Sequence, residues 1–250
     1  MEKVRQKGIL ALLNEKHFLT VDEMCQTLYA SGATIRRDLS ELEAQGLLKR
    51  VRGGAIAYDG ISSDLPSLLR SNSNVEAKKH IAQLAAALYM RDSMTLFMDS
   101  STTIKCLAQE ITHHKQLSII TNSVEISYLL STASSARIYS SGGRVRNNST
   151  MVGPSALNMV KSRYADVFFF SCAGFSTKYG TTETNEENVE VKKAMFANSK
   201  KRVLLCDSSK FDKVFSYRCF EIEEIDAIVT EKKPSAEILE GLPKSVKLHF

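Results

Sequence analysis

Apolar residues recur at helical spacing through the N-terminal part of the chain. Val4, Ile9, Leu12 and Leu13 share one face of a first helix, which runs out at the polar stretch Asn14 to His17. Val21, Met24, Cys25 and Leu28 give a second, short helix its buried side. Thr20 stands before it, where a hydroxyl can accept from the free amides of Asp22 or Glu23. Ser31-Gly32 makes a turn. Ile35, Leu39 and Leu42, at i, i+4 and i+7, then form the stripe of a third helix that reaches about Gln45 and stops at Gly46. The opposite side of that helix carries Arg36, Arg37 and Ser40. Leu47 to Val51 and Ala55 to Tyr58 flank Arg52-Gly53-Gly54, which predicts a short hairpin. Three helices and a basic wing describe a winged helix-turn-helix.

The pattern changes twice further on. Residues 59–74 are rich in Ser, Asn and Asp, lack periodicity and read as a linker. From Val75, helical stretches alternate with short apolar runs. Ala77 to Leu88 is helical, and strands are expected at Met94–Met98, Leu117–Ile120, Arg137–Tyr139, Val167–Phe170, Arg202–Leu205 and Ala227–Val229. Near-continuous apolar strands between helices indicate a parallel α/β sheet covered on both faces. The expected plan is a winged helix-turn-helix DNA-binding domain at 1–58, the linker at 59–74 and a parallel α/β domain at 75–250.

Bulk charge adds little. The chain of 250 residues has a formal net charge of +5, and residues 1–58 hold nine basic against seven acidic residues. The head is therefore no polycation, and DNA binding must be argued from placement. Arg36 and Arg37, turned away from the apolar stripe, are free to meet phosphates and base edges with Thr34. Lys49, Arg50 and Arg52 of the wing are placed to grip the flanking backbone. No apolar run approaches the roughly 18 residues that cross a membrane, and the N-terminus lacks a signal-peptide core, so a cytoplasmic protein is expected. The five cysteines lack C-x-x-C spacing and read as reduced, buried thiols.

Ligands of open α/β sheets collect at the carboxyl ends of the strands. Those ends carry Asp99-Ser100-Ser101-Thr102-Thr103, Thr121-Asn122-Ser123, Ser141-Gly142-Gly143-Arg144 and Asp207-Ser208-Ser209-Lys210. Small hydroxyl residues that run into a helix cradle an anion with free amides and the positive dipole end. Glycines allow close backbone approach, and Arg144 offers a fork for phosphate. Taken singly, each is a cap, a turn or a solvated lysine. Together they favour a polyhydroxylated, phosphorylated small molecule. Neither His113-His114 nor the acidic stretch Glu183 to Glu190 has metal-ligand spacing, so no metal and no cofactor are expected. Two rivals remain open at this point. Asp99 and Asp207 could serve general acid–base chemistry in a sugar-phosphate isomerase with an accessory head, and Cys106 or Cys172 could sense oxidants.

The chain resembles the DeoR family of bacterial transcription regulators over nearly its whole length. In the head the resemblance lies in Val21-Asp22-Glu23-Met24, Ser31, Thr34-Ile35-Arg36-Arg37-Asp38-Leu39, Leu42, Gly46, Arg50 and Gly53-Gly54-Ala55. In the body it lies in Lys78, Ile81-Ala82, Asp99 to Thr103, Thr121-Asn122-Ser123, Gly142-Gly143, Lys192 and Asp207 to Phe211. It departs from the family pattern at Ser101, where glycine is commoner, and at Cys25 and Ala30. The resemblance implies that residues 75–250 are an effector-binding sensor domain, with a fold similar to ribose-5-phosphate isomerase, that binds a phosphorylated sugar without turning it over. It also implies repression of a sugar-utilisation operon by a homo-oligomer on double-stranded operator DNA. By the same resemblance Ser31 joins the DNA-binding set, and Lys78 reaches the phosphate held by Ser100, Ser101, Thr102 and Thr103 beside Asp99. Asn122, Gly142 and Gly143 would face the sugar, with Lys192 and Lys210 near the pocket.

Overall fold

The computed structural model describes residues 2–16, 18–45, 47–51, 53–56, 70–71, 73–146 and 149–250. Gly46, Arg52 and most of the expected linker lie outside the described residues. The chain divides into two units, Met1–Arg70 and Ser71–Phe250.

In the first unit α1 (Glu2–Lys16), α2 (Val21–Leu28) and α3 (Gly32–Ala44) close on a small core of Ile9, Leu13, Met24, Ile35, Leu39 and Leu42. Thr20 caps α2 as its sequence promises. Its side chain accepts from the Glu23 amide, and the Glu23 carboxylate accepts in return from the Thr20 amide at 2.8 Å. Ser31 caps α3 in the same way through the Thr34 amide. The wing is a three-stranded antiparallel sheet. β1 (Phe18–Thr20) pairs with β3 (Gly54–Ile56), which pairs with β2 (Lys49–Val51). The pattern predicted only the outer hairpin, because a three-residue strand is too short to show a period.

Asp38 is the surprise of this unit. It sits in the polar run of α3 yet is buried, and the Arg5 guanidinium on α1 engages both its oxygens, one of them at 3.0 Å. That fork ties α1 to a side of α3 away from Arg36 and Arg37, which are exposed.

The second unit is built on a seven-stranded parallel sheet. Its strands are β4 (Thr95–Met98), β5 (Ser118–Thr121), β6 (Arg137–Ser140), β9 (Ala165–Phe170), β12 (Ser199–Leu205), β14 (Ala227–Val229) and β15 (Lys247–His249). Their order across the sheet is β15-β14-β12-β9-β4-β5-β6. Adjacent residues alternate between two cores. Phe168, Phe170 and Leu204 face one side with Val191, Met195 and Phe196, while Val167, Phe169 and Leu205 face the other with Ile81, Ile104 and Leu107. Both faces are covered, which is why the strands read as continuous apolar runs. The first side is lined by α7 (Pro154–Lys161) and α8 (Glu186–Ala197), the second by α4 (Val75–Tyr89), α5 (Thr102–Glu110) and α6 (Val124–Ala133).

All six expected strands are present, and β15 is added beside β14. Two smaller antiparallel pieces have no counterpart in the hydrophobic pattern. One is the hairpin β7 (Arg144–Arg146) and β8 (Thr150–Val152). The other is the sheet of β10 (Gly174–Ser176), β11 (Gly180–Glu183) and β13 (Tyr217–Phe220).

Strand order locates the ligand crevice. From β4 the chain winds to β5 and β6 on one side, and from β9 it winds to β12, β14 and β15 on the other. The connections thus part company between β4 and β9, and the space outside their carboxyl ends is a topological switch point.

Candidate functional site

Asp99 follows β4 and Ser171 follows β9, so they meet across that switch point. The Ser171 amide donates to Asp99 Oδ2 at 2.9 Å, and the Ser101 amide donates to Asp99 Oδ1 at 2.7 Å. From α8 the Lys192 ammonium reaches Asp99 Oδ2 at 2.9 Å, the Ser171 carbonyl at 2.7 Å and the Glu183 carboxylate of β11. Asp99, Ser171, Glu183 and Lys192 are buried. Burial opposes the lysine's charge, but Asp99 and Glu183 outweigh it and hold the amine well above the usual lysine range. One cation against two carboxylates leaves the floor of the crevice negative. Lys192 is therefore committed to cross-linking β4, β9, β11 and α8, and it offers no surplus charge to an incoming phosphate. Asp99 is equally subscribed, which argues against its use as a general base.

The anion-friendly end lies beside this floor. Ser101 caps α5 through the Ile104 amide at 3.2 Å, and Thr102 and Thr103 fill the buried first turn. Their amides and the helix dipole favour negative charge. Ser100 accepts a hydrogen bond from Thr150 of β8 at 2.9 Å, which ties the unexpected hairpin to the turn after β4. Buried Lys78, in the first turn of α4, donates to the Ser73 carbonyl at 2.7 Å.

The other strand ends fold much as expected. Ser123 caps α6 through the Ile126 amide, and Asn122, fully buried, donates to the Met151 carbonyl at 3.4 Å. Asn122 Oδ1 has no hydrogen-bond partner among the described residues; the same holds for Asn188 Oδ1 and Asp207 Oδ2. Asn188 stands one helical turn before Lys192 on α8 and so shares its face. The second Asp207 oxygen accepts from the Ser209 amide at 3.2 Å and from Asn74 at 3.0 Å. Buried orphan acceptors are rare because each forfeits its hydration without replacement. A ligand rich in hydroxyl donors would satisfy them.

Gly142 and Gly143 have φ of 66° and 99°. A Cβ on Gly143 would come within 2.5 Å of the Val152 carbonyl, so β8 packs there as only glycine permits. Arg144 departs from its sequence reading. It is 63% exposed, and its guanidinium is bound to both Glu187 oxygens at 2.6 and 2.7 Å. The opposite charge one helix away captures it. Lys210 sits half-buried in the short 3-10 turn after β12.

Sequence reasoning did not anticipate Glu183, Ser171, Thr150 or Asn188. Ser171 does follow a parallel strand, but Ser171-Cys172-Ala173 runs into β10 and opens no helix, so it carries no cap signal. Glu183, Thr150 and Asn188 lie away from the ends of the parallel strands and come in only through the packing of the small β-pieces and α8. Among the described residues no group of three or more His, Cys, Asp or Glu could hold a metal, and no helix is long and apolar enough to cross a membrane.

The basic face of the head is simpler. Arg36, Arg37, Lys49 and Arg50 are exposed around α3 and β2. The Arg50 guanidinium rests on Ser40 and its amide on Glu43 at 2.8 Å, which joins wing to helix. Ser31 and Thr34 share a hydroxyl–hydroxyl contact of 2.8 Å at the helix start.

Comparison with known proteins gives the same two parts. Residues 5–60 match the DeoR-like helix-turn-helix domain and residues 73–232 the DeoR C terminal sensor domain. The HTH-type transcriptional regulator GolR of Listeria innocua is 32% identical over 230 residues, covering 92% of this chain and 90% of GolR. The glycerol-3-phosphate regulon repressor of Escherichia coli is 29% identical over 239 residues, covering 95% and 94%. Among solved structures, ribose 5-phosphate isomerase A from Methanocaldococcus jannaschii aligns at 16% identity over 56% of this chain and 55% of that one, with a TM-score of 0.42.

Proposed function

The chain belongs to the DeoR family of transcription regulators, and from that premise we propose that it is a repressor whose head reads operator DNA under control of a phosphorylated sugar or related metabolite. Thr34, Arg36 and Arg37 enter the major groove from α3. Ser31, Lys49, Arg50 and Arg52 hold the flanking phosphates. The metabolite's phosphate takes the start of α5, with Ser100 to Thr103 and Lys78, and its hydroxyls face Asn122, Asn188 and the Gly142–Gly143 turn. The single observation that carries the sensor half is the set of buried acceptor oxygens without partners around a switch-point crevice that opens on a helix N-terminus. The protein acts as a homo-oligomer in the cytoplasm and does not turn its ligand over.

Control needs no special device. An effector that binds the DNA-competent and DNA-incompetent states with different affinity shifts their balance by that difference alone. Fluorescence anisotropy on a duplex selected from a random-sequence library tests the DNA half. Arg36→Ala and Arg37→Ala should each weaken binding by about 10-fold or more. Unchanged affinity in both sinks the assignment. A thermal-shift screen of pentose, hexose and triose phosphates tests the sensor half. A ligand at about 100 times its Kd adds about 2.7 kcal/mol of stability.

A further inference from the structure

Tyr29 ends α2 in the left-handed region, with φ 50° and ψ 45°, and is 95% exposed. Glycine adopts that conformation readily and a bulky aromatic does not, so the phenol is displayed at a conformational cost with no burial to offset it. Its amide closes α2 on the Cys25 carbonyl, a cap that any residue's backbone supplies. Two residues later Ser31 caps α3, and Thr34, Arg36 and Arg37 follow.

The other hydroxyls of the described head are already engaged. Thr20 is paired with Glu23, Thr27 donates to the Glu23 carbonyl, Ser31 is paired with Thr34, and Ser40 lies between the Arg36 carbonyl and Arg50. Among the described residues of this unit, Tyr29 is the exposed hydroxyl with no such partner.

We propose that Tyr29 is a DNA-contacting residue, which donates its phenolic hydroxyl to a backbone phosphate at the rim of the groove that α3 enters. The inference rests on the reading of α3 as the recognition helix. A helix whose N-terminal residues meet base edges carries its preceding turn to the groove's edge, where the phosphates run. Tyrosine is one of the neutral donors that serve phosphates there, and such a contact positions the protein without reading sequence.

The test uses the full-length chain and the library-selected duplex, with anisotropy at several salt concentrations. Tyr29→Phe keeps the ring and the backbone and removes only the donor. It should weaken binding about 10-fold on the selected duplex and on base-substituted versions alike. The slope of log affinity against log salt should not change, because no cation is lost. Tyr29→Gly should lower affinity at least as much while raising the melting temperature, since the left-handed turn is relieved. Affinity of Tyr29→Phe within about twofold of wild type overturns the proposal, as does a loss confined to one base position. If Arg36→Ala and Arg37→Ala also both bind normally, or no duplex is selected, the recognition-helix reading fails instead.

Discussion

Lys192→Met keeps most of the side chain's length and volume and deletes its charge. The ammonium is buried between Asp99 at 2.9 Å, the Ser171 carbonyl at 2.7 Å and the Glu183 carboxylate. Without it two buried carboxylates share one site with no cation, a change that costs about 3–5 kcal/mol. For a unit of this size the melting temperature should fall by roughly 10 °C. In the wild type the lysine's pKa is raised, so its contribution is complete below the unfolded value and is lost only as pH climbs through the folded one. It is therefore fully present at neutral pH. Thermal melts of the full-length chain at neutral pH read the deficit, and adding Glu183→Gln should restore part of the loss. A deficit below about 1 kcal/mol, or a double variant no more stable than Lys192→Met alone, refutes the reasoning. A lysine that served the ligand alone would show neither effect.

Gly142→Ala should cost about 1 kcal/mol for its left-handed backbone alone, since a Cβ there meets nothing within 4 Å. Gly143→Ala should cost more than about 2 kcal/mol because the Cβ also collides with the Val152 carbonyl, and equal losses in chemical denaturation would contradict this. Arg5→Met strands buried Asp38 and should destabilise the head by about 3 kcal/mol, seen as an early transition in a denaturant titration. Asn122→Leu should leave the unliganded melting temperature within a few degrees and abolish the rise produced by whichever sugar phosphate the screen identifies. Burial raises the Cys106 thiol, so fewer thiolates form there, and Cys172 is buried away from solvent. Dilute peroxide should accordingly leave DNA affinity unchanged, and a reversible loss would revive the oxidant-sensing rival.

Much of the architecture is local in origin and so was legible. The α3 stripe, the Thr20 cap and the six apolar strands each depend on residues within a few positions of one another. Helix and strand periods appear wherever one face, or both, must be buried. The strand-end turns were legible for the same reason, because a cap and a turn are decided by neighbours in sequence. The β7–β8 hairpin and the small sheet around β11 were not, since their strands are three or four residues long, too short to show a period.

The site divides along the same line. The sequence alone determined that Asp99 to Thr103 would end a strand and start a helix, and that Arg36 and Arg37 would face outward from a buried stripe. It could not determine what each charge would meet. Lys192 turned inward to Asp99 and Glu183, and Arg144 was taken by Glu187, although by residue type both suit a phosphate. Asp38, in the middle of a polar run, became a buried partner of Arg5. Coulomb attraction acts over a few ångströms of space, whatever the separation along the chain. Chain position therefore settled where the turns lie, and tertiary structure settled which partner each of these charges met.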